Sequence, residues 1–298
     1  MSIIQCVPNF SEGRDESVVK EIVESINAVE GVKVLDYSLD ADHNRSVVTL
    51  VGSKESILDG AFEGAKKASE LIDMTKHSGE HPRMGATDVI PFIPIKDVTM
   101  EECVEIAQKL GAKISDELNI PVFLYENAAS ASHRKNLAKV RKGEYEGLEE
   151  KMKEDKWKAD FGPDTPNKKS GATAVGARMP LIAFNVNLNT NDLSIAKKIA
   201  KNVRLGGGGL HSVKAMGVEL KERDIVQVSM NMVNYKKTPL YRVTELIKAE
   251  AKRWGVSVIG TEVIGLVPQE ALIDSLEYYM GIEDFEKNQI LENRLYQD

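Results

Sequence analysis

LIAFNVNL at residues 181–188 and DIVQVSMNMVN at residues 224–234 decide the fold class. In the first, Phe184, Val186 and Leu188 alternate with Asn185 and Asn187. In the second, Val226, Val228, Met230 and Met232 alternate with Gln227, Ser229 and Asn231. Successive side chains of a strand point to opposite faces. Both stretches are therefore strands of a sheet with one apolar face and one amide-bearing face. Helices belong on the apolar side, because amides trapped unpaired under a helix layer lose their hydrogen bonds to water. The amide side meets water, a ligand or another subunit.

The surrounding periodicity extends this reading to the whole chain. The second half gives a strand at 181–188, a helix at 192–204, and a hairpin of 213–220 and 224–234 around Lys221–Arg223. A helix at 239–254, a strand at 256–263 and a further helix from Pro268 follow. The first half gives a strand at 3–7 and a helix at 15–29. Strands at 32–38 and 46–52 come next, joined by a polar turn over 40–44. A helix through Ile57, Ala61, Ala65 and Ile72 leads to a strand at 88–95. A helix at 99–118, a strand at 121–125 and a charge-rich helical segment at 132–156 extend it. Each half follows β-α-β-β-α-β, the split βαβ order of ferredoxin-like folds. The expected fold is α+β: two ferredoxin-like (split βαβ) lobes, each a mostly antiparallel sheet with helices on one face, with a ligand cleft between them. The expected domains are 1–178 and 179–298. The stretch ADFGPDTPNKKSGATAVGARMP at 159–180 separates them. Its prolines and glycines disfavour a persistent helix or strand, and structureless loops longer than about 15 residues are often functional.

With 298 residues, 42% hydrophobic and 29% charged, the chain has the balance of a globular protein rather than a disordered one. Its net charge of −7 disfavours non-specific nucleic-acid binding. Cys6 and Cys103 form no CxxC pair and read as free thiols. The N-terminus lacks a basic region before its short apolar run, unlike a signal peptide. No stretch approaches the about 18 apolar residues of a membrane helix. A cytoplasmic protein with no membrane partner is expected.

The densest chemistry lies in HSGEHPRMGATDVIPFIPI at 77–95. His77 and His81 are four apart, a spacing that suits two metal ligands on a helix. Gly79 and Pro82 disfavour that helix, the pattern is not HExxH, and no third ligand is evident. A loop imidazole near carboxylates and a guanidinium suits proton transfer, since both its protonation states are accessible near neutrality. His81 is the better candidate; a structural loop histidine is the competing reading. Glu80 or Asp88 could orient its ring. The glycine run at 206–209 lacks the P-loop lysine and reads as a flexible loop. His43 and His133 read as surface residues, and His211 has no evident partner.

VPNFSEG (7–13), Asn44–Arg45, GEHPRMGATDVIPFIP (79–94), DFGP (160–163), GATAVGAR (171–178), LIAFNVNL (181–188) and GLVPQEALID (265–274) together resemble the glutamate formimidoyltransferase family over nearly the whole chain. The resemblance implies transfer of a formimidoyl group between 5-formimidoyltetrahydrofolate and L-glutamate, with N-formimidoyl-L-glutamate and tetrahydrofolate on the other side, in histidine degradation. It implies His81 as the catalytic general acid/base. It also implies a folate-binding segment of Gly162, Pro163, Asp164, Thr165, Pro166, Asn167, Lys168, Lys169, Ser170 and Gly171. Tetrahydrofolate is then a co-substrate and no metal is required. A homodimer is expected, and a separate cyclodeaminase, since animal members carry that domain fused downstream. Arg45, Arg83, Lys168, Lys169 and Arg178 are the candidate partners for substrate carboxylates.

The chain departs from the family at 164–170 and at 37–43. In the latter, Ser38 stands where an acidic residue is expected; Asp36, Asp40 and Asp42 are candidate substitutes. This leaves open 5-formyltetrahydrofolate–glutamate formyl transfer, or a related folate one-carbon salvage step, as the alternative activity. A non-catalytic folate-binding protein and a metal hydrolase using His77 and His81 are the readings from other classes.

Overall fold

The computed structural model describes residues 2–295. The chain divides into two compact units between Arg178 and Met179. The first runs β1 (Ile3–Cys6), β2 (Asn9–Phe10), α1 (Glu16–Asn27), β3 (Val32–Asp40), β4 (Arg45–Gly52), α2 (Ile57–Leu71), β5 (Thr87–Lys96), α3 (Met100–Leu118), β6 (Val122–Glu126), α4 (Leu137–Arg141), α5 (Leu148–Met152) and β7 (Thr173–Ala177). The second runs β8 (Ile182–Leu188), α6 (Leu193–Val203), β9 (Val213–Leu220), β10 (Ile225–Met232), α7 (Leu240–Lys252), β11 (Val258–Ile264), α8 (Gln269–Met280) and α9 (Leu291–Leu295).

The second unit is the simpler. Its four strands are antiparallel in the order β11–β8–β10–β9. Phe184, Val186, Leu188, Val226, Val228, Met230 and Met232 pack beneath Ala196, Ile199 and Val203 of α6 and Val243 and Ile247 of α7. This is the apolar face the alternation demands. On the other face the amides find partners across the strands. Asn187 donates to Glu262 (2.9 Å), Gln227 donates to Asn187 (2.8 Å) and Glu262 (3.0 Å), and Arg223 closes the network on Glu262 (2.8 Å).

The first unit repeats this plan and adds to it. Its sheet holds seven strands. Pro8 interrupts one row, so β1 and β2 both lie between β4 and β5, and β3 pairs with β4 on the outside. Asp15 caps α1 by accepting from Ser17 N (2.9 Å), and Thr99 and Glu102 form a capping box on α3. Helices α1, α2 and α3 bury Ile22, Ile26, Phe62, Ala65, Leu110 and Ile114 on Ile4, Phe10, Leu50, Ile90 and Phe92.

One sequence expectation fails here and another is met only in part. The separator 159–180 contains a strand: β7 lies parallel between β5 and β6, one row in from the β6 edge of the sheet. Its residues are all buried. A strand covered on both faces shows no alternation, and TAVGA lacks the bulky residues that advertise one. Small residues are required there: a Cβ on Gly176 would overlap Tyr125. The charge-rich helical segment expected over 132–156 is broken into the short α4 and α5 flanked by 3₁₀ turns. Val140, Leu148 and Met152 of this segment cover the second face of the β5–β7–β6 edge, on Val89, Phe123, Tyr125 and Ala174. Its Arg141, Glu144 and Glu146 side chains bind distant segments, as described below.

The segment 162–171 is also structured. Asn167 Oδ1 accepts from Lys169 N (3.0 Å) and Ser170 N (2.9 Å), and Asn167 and Gly171 exchange backbone bonds of 2.9 and 2.7 Å. The turn is tied to the approach to β5 by Ala86 N–H on Ser170 O (3.0 Å) and Ala172 N–H on Met84 O (3.1 Å). Gly171 has φ +68°, and a Cβ there would overlap the Met84 carbonyl oxygen. Gly171→Ala is therefore expected to cost about 2 kcal/mol or more. Gly206→Ala is the control, since its Cβ would meet nothing within 4 Å. Urea unfolding midpoints compare the two; equal midpoints would contradict the strain assigned to Gly171.

Candidate active site

Sheet register gathers the chemistry at one end of the first unit. Phe10 pairs with Ser46 on one side and with Thr87 on the other. The residues flanking that row, Ser11, Arg45 and Asp88, therefore meet at the same sheet end. The turn after β3 and the loop between α2 and β5 close over it. The resulting hollow is lined by Phe10, Ser11, His43, Asn44, Arg45, His77, His81, Arg83 and Asp88. A second space of about 190 Å³, lined by Ser38, Asp40, His43, Arg45 and Val47, shares two of these residues.

Asn44 fastens the turn to the loop. It takes a left-handed backbone (φ 47°), a conformation asparagine tolerates better than most residues. Its Oδ1 accepts from Gly13 N (3.0 Å), its Nδ2 donates to Ser78 O (3.0 Å), and its own carbonyl accepts from His77 Nε2 (2.9 Å). Ser11 holds the far end of the loop through Gly85 O (2.8 Å) and Ala86 O (2.9 Å).

The two histidines of the HxxxH pair have different duties. His77 Nδ1 accepts from Arg83 Nε (3.1 Å), which fixes the ring proton on Nε2, facing Asn44 O. Both its nitrogens are thus engaged in holding the loop, which leaves no lone pair for a metal. His81 faces the hollow. Its Nδ1 is buried without a hydrogen-bond partner. Burial first, then the positive charges of Arg45 and Arg141 and the ring of His43, depress its pKa from 6.5 to about 3. The free protein therefore carries a neutral imidazole here at physiological pH.

Neither expected orienting carboxylate reaches that nitrogen. Asp88 is buried, accepts from Met84 N (3.0 Å) and is ion-paired with Arg141. Glu80 is exposed, and its backbone N–H donates to Asp42 O (3.3 Å). Two of the candidate anion partners are also occupied. Arg83 is buried and pairs with Glu144 (2.9 Å) and Glu146 (2.6 Å). Arg178 lies at the buried phenol of Tyr125. Lys169 donates to Glu70 O (2.5 Å), and Lys168 is exposed. Arg45 remains aimed at the hollow. It holds Asn9 Oδ1 through one terminal nitrogen, while its buried Nε has no acceptor. The Nε of Arg141 is likewise buried without one. None of the residues lining the two spaces comes from 162–171.

Sequence reasoning missed three participants. Asn44 was visible only as part of a motif, and Arg141 was hidden in the charge-rich segment. His43, read as a surface residue, points its Nδ1 at Asp40 Oδ2 (2.7 Å), and its ring centre lies 6.1 Å from that of His81. The Asp-x-x-His spacing within a polar turn was the available signal.

Residues 3–178 match the formiminotransferase domain, N-terminal subdomain, and residues 183–295 match the formiminotransferase domain. The chain belongs to the formiminotransferase family. It is 58% identical to the glutamate formimidoyltransferase of Streptococcus pyogenes serotype M1, over 98% of each chain. It is 50% identical to the glutamate formimidoyltransferase of Thermoplasma acidophilum, over 99% of this chain and 98% of that one. The formimidoyltransferase-cyclodeaminase of Mus musculus is 44% identical over 94% of this formiminotransferase chain, which spans 53% of that longer protein.

Because its folded-state pKa lies below the unfolded value, His81 binds fewer protons folded than unfolded between pH 6.5 and about 3. Its contribution to stability is therefore intact above pH 6.5 and is lost as pH falls through that window. Ring ¹⁵N shifts should show His81 neutral in the free protein at pH 5. A ring protonated there would contradict the depressed pKa.

Proposed function

We propose that this chain transfers a formimidoyl group between 5-formimidoyltetrahydrofolate and L-glutamate, with His81 moving protons at the reacting centre. One observation carries the reading: identity of 58% to a glutamate formimidoyltransferase along essentially all of both chains. Tetrahydrofolate enters as co-substrate, and the reaction belongs to histidine degradation. The folate segment inferred from the family is 162–171. Its support is the close backbone tie between 170–172 and 84–86, a few residues beyond His81. The expected setting is a cytoplasmic homodimer with a separate cyclodeaminase downstream. Among the described residues no helix is long and apolar enough to cross a membrane.

The chemistry follows from the groups present. Glutamate arrives as an ammonium, which has no lone pair to attack with. A neutral imidazole accepts its proton, and the free amine adds to the formimidoyl carbon. The tetrahedral adduct collapses once the pterin nitrogen is protonated. Such positioned proton transfers contribute about 10²–10⁴-fold. In the free protein Arg45 and Arg141 oppose a charged His81. A substrate carboxylate placed against Arg45 would offset that part of the depression, while burial, the larger cause, would remain. Holding both reactants in one orientation removes much of the bimolecular entropy cost.

Activity with formimidoyl and formyl donors, each against glutamate and other amino acids, tests the assignment. The formimidoyl donor with glutamate should turn over fastest; a formyl donor doing so would favour the alternative. His81→Ala should lower kcat by at least about 10²-fold while leaving the fold and folate affinity intact. Near-full turnover by that variant would remove His81 from the reaction.

A further inference from the structure

The overall reaction sets a requirement that one imidazole meets poorly. In the direction of glutamate acylation, the ammonium nitrogen gives up two protons and the amidine keeps its own. The first must leave before attack. The second leaves the attacking nitrogen after the adduct forms, and it ends on the departing pterin nitrogen. An imidazole holds one added proton at a time. A lone His81 would have to discharge the first to solvent before taking the second, from a site where burial and two arginines already oppose its charging.

A second imidazole stands opposite. We propose that His43, held by Asp40, is the base that takes the first proton from the amino acid's ammonium and passes it to solvent. His81 then carries the second from the attacking nitrogen to the pterin nitrogen. In the reverse direction the same two groups return the protons to the departing amine.

The geometry supports this division in four ways. Asp40 binds His43 twice, Oδ1 accepting the backbone N–H (2.9 Å) and Oδ2 meeting Nδ1 (2.7 Å). With the proton of the neutral ring on Nδ1, Nε2 is left as the acceptor. The two rings meet edge to face with centres 6.1 Å apart, a gap that one reacting nitrogen can span. His43 is 46% exposed, so it can release its proton to water where the more buried His81 cannot readily do so. The adjoining space, lined by Ser38, Asp40, His43, Arg45 and Val47, measures about 190 Å³. That is below the about 300 Å³ at which pockets for drug-sized ligands begin, and it suits an amino acid rather than a pterin. Arg45 at one wall suits the carboxylate, and Asp40 and His43 suit the ammonium.

The charged and titratable groups around His43 are Asp40 and Asp42 of its own turn, Arg14 on Ala41 O, Arg45 of β4, and Glu80 and His81 of the loop. Of these, Asp40 alone contacts the ring as an ion-pair partner.

The inference rests on the transferase reading, and the test separates the two. Wild type, His43→Gln, Asp40→Asn and His81→Ala are compared across pH with saturating folate donor and varied glutamate. His43→Gln should lower kcat by about 10²-fold at neutral pH, with the donor KM unchanged. Its deficit should shrink at alkaline pH, where the amine loses its proton to solvent, while that of His81→Ala persists. Asp40→Asn, which keeps an acceptor for the His43 N–H but loses the carboxylate that holds the ring and faces the ammonium, should lower kcat in the same pH-dependent way as His43→Gln, by about 10-fold or more. A His43→Gln deficit that is absent or equal at all pH values, or full activity in Asp40→Asn, overturns the role of His43 alone. Wild type without glutamate-dependent turnover overturns the transferase reading with it.

Discussion

The site depends on one buried amide. Asn44 holds Gly13, Ser78 and His77 with three groups of a single residue, in a backbone conformation few residues accept. These bonds fix the distance between the turn after β3 and the loop before β5. Gly79 is needed for the same reason, since a Cβ there would overlap the His43 carbonyl. Side-chain bonds of this kind have modest net worth, about 1 kcal/mol each. Their value here is positional, because an error of about 1 Å between reacting groups can cost about 10²-fold in rate.

A second layer of charge stabilises the loop from behind. Arg83 is buried against Glu144 and Glu146, and Asp88 against Arg141. All three outer partners come from the segment holding α4 and its following turn. That segment is pinned in turn by Lys151, whose ammonium donates to Lys139 O (3.0 Å), Lys142 O (3.1 Å) and Val140 O. Burial lowers the Lys151 pKa to about 8, and its ammonium also lies 4.1 Å from the Trp157 ring centre. For the buried Asp88–Arg141 pair, removing one member leaves the other charge uncompensated, at about 3–5 kcal/mol. The pairs are thus a constraint on loop position rather than a net source of stability.

Where the sequence was legible, the reason was periodicity. The strands of the second unit alternate because one face meets helices and the other does not, and the elements from β8 to α8 were placed within a few residues. The first unit became opaque where its sheet is covered on both sides: β7 carries no alternation, and small residues replace the bulky ones that mark a strand. The site was legible as a motif and not as geometry. His81 could be named, but the commitments of Arg83 and Asp88 could not, because their partners lie over 50 residues away in sequence. Asp40 was one of three candidate acidic residues and His43 looked like an ordinary surface residue, and only the fold brings that turn opposite the loop.

The position of β7 bears on how the chain is made. It is the last strand of its unit to leave the ribosome, yet it belongs between two that emerged earlier. Until it inserts, β5 and β6 each present an unpaired, apolar edge. Such edges recruit strands from other chains, and long-range parallel pairing forms slowly. Nascent chains stalled before residue 173 should therefore be the ones that chaperones must shield.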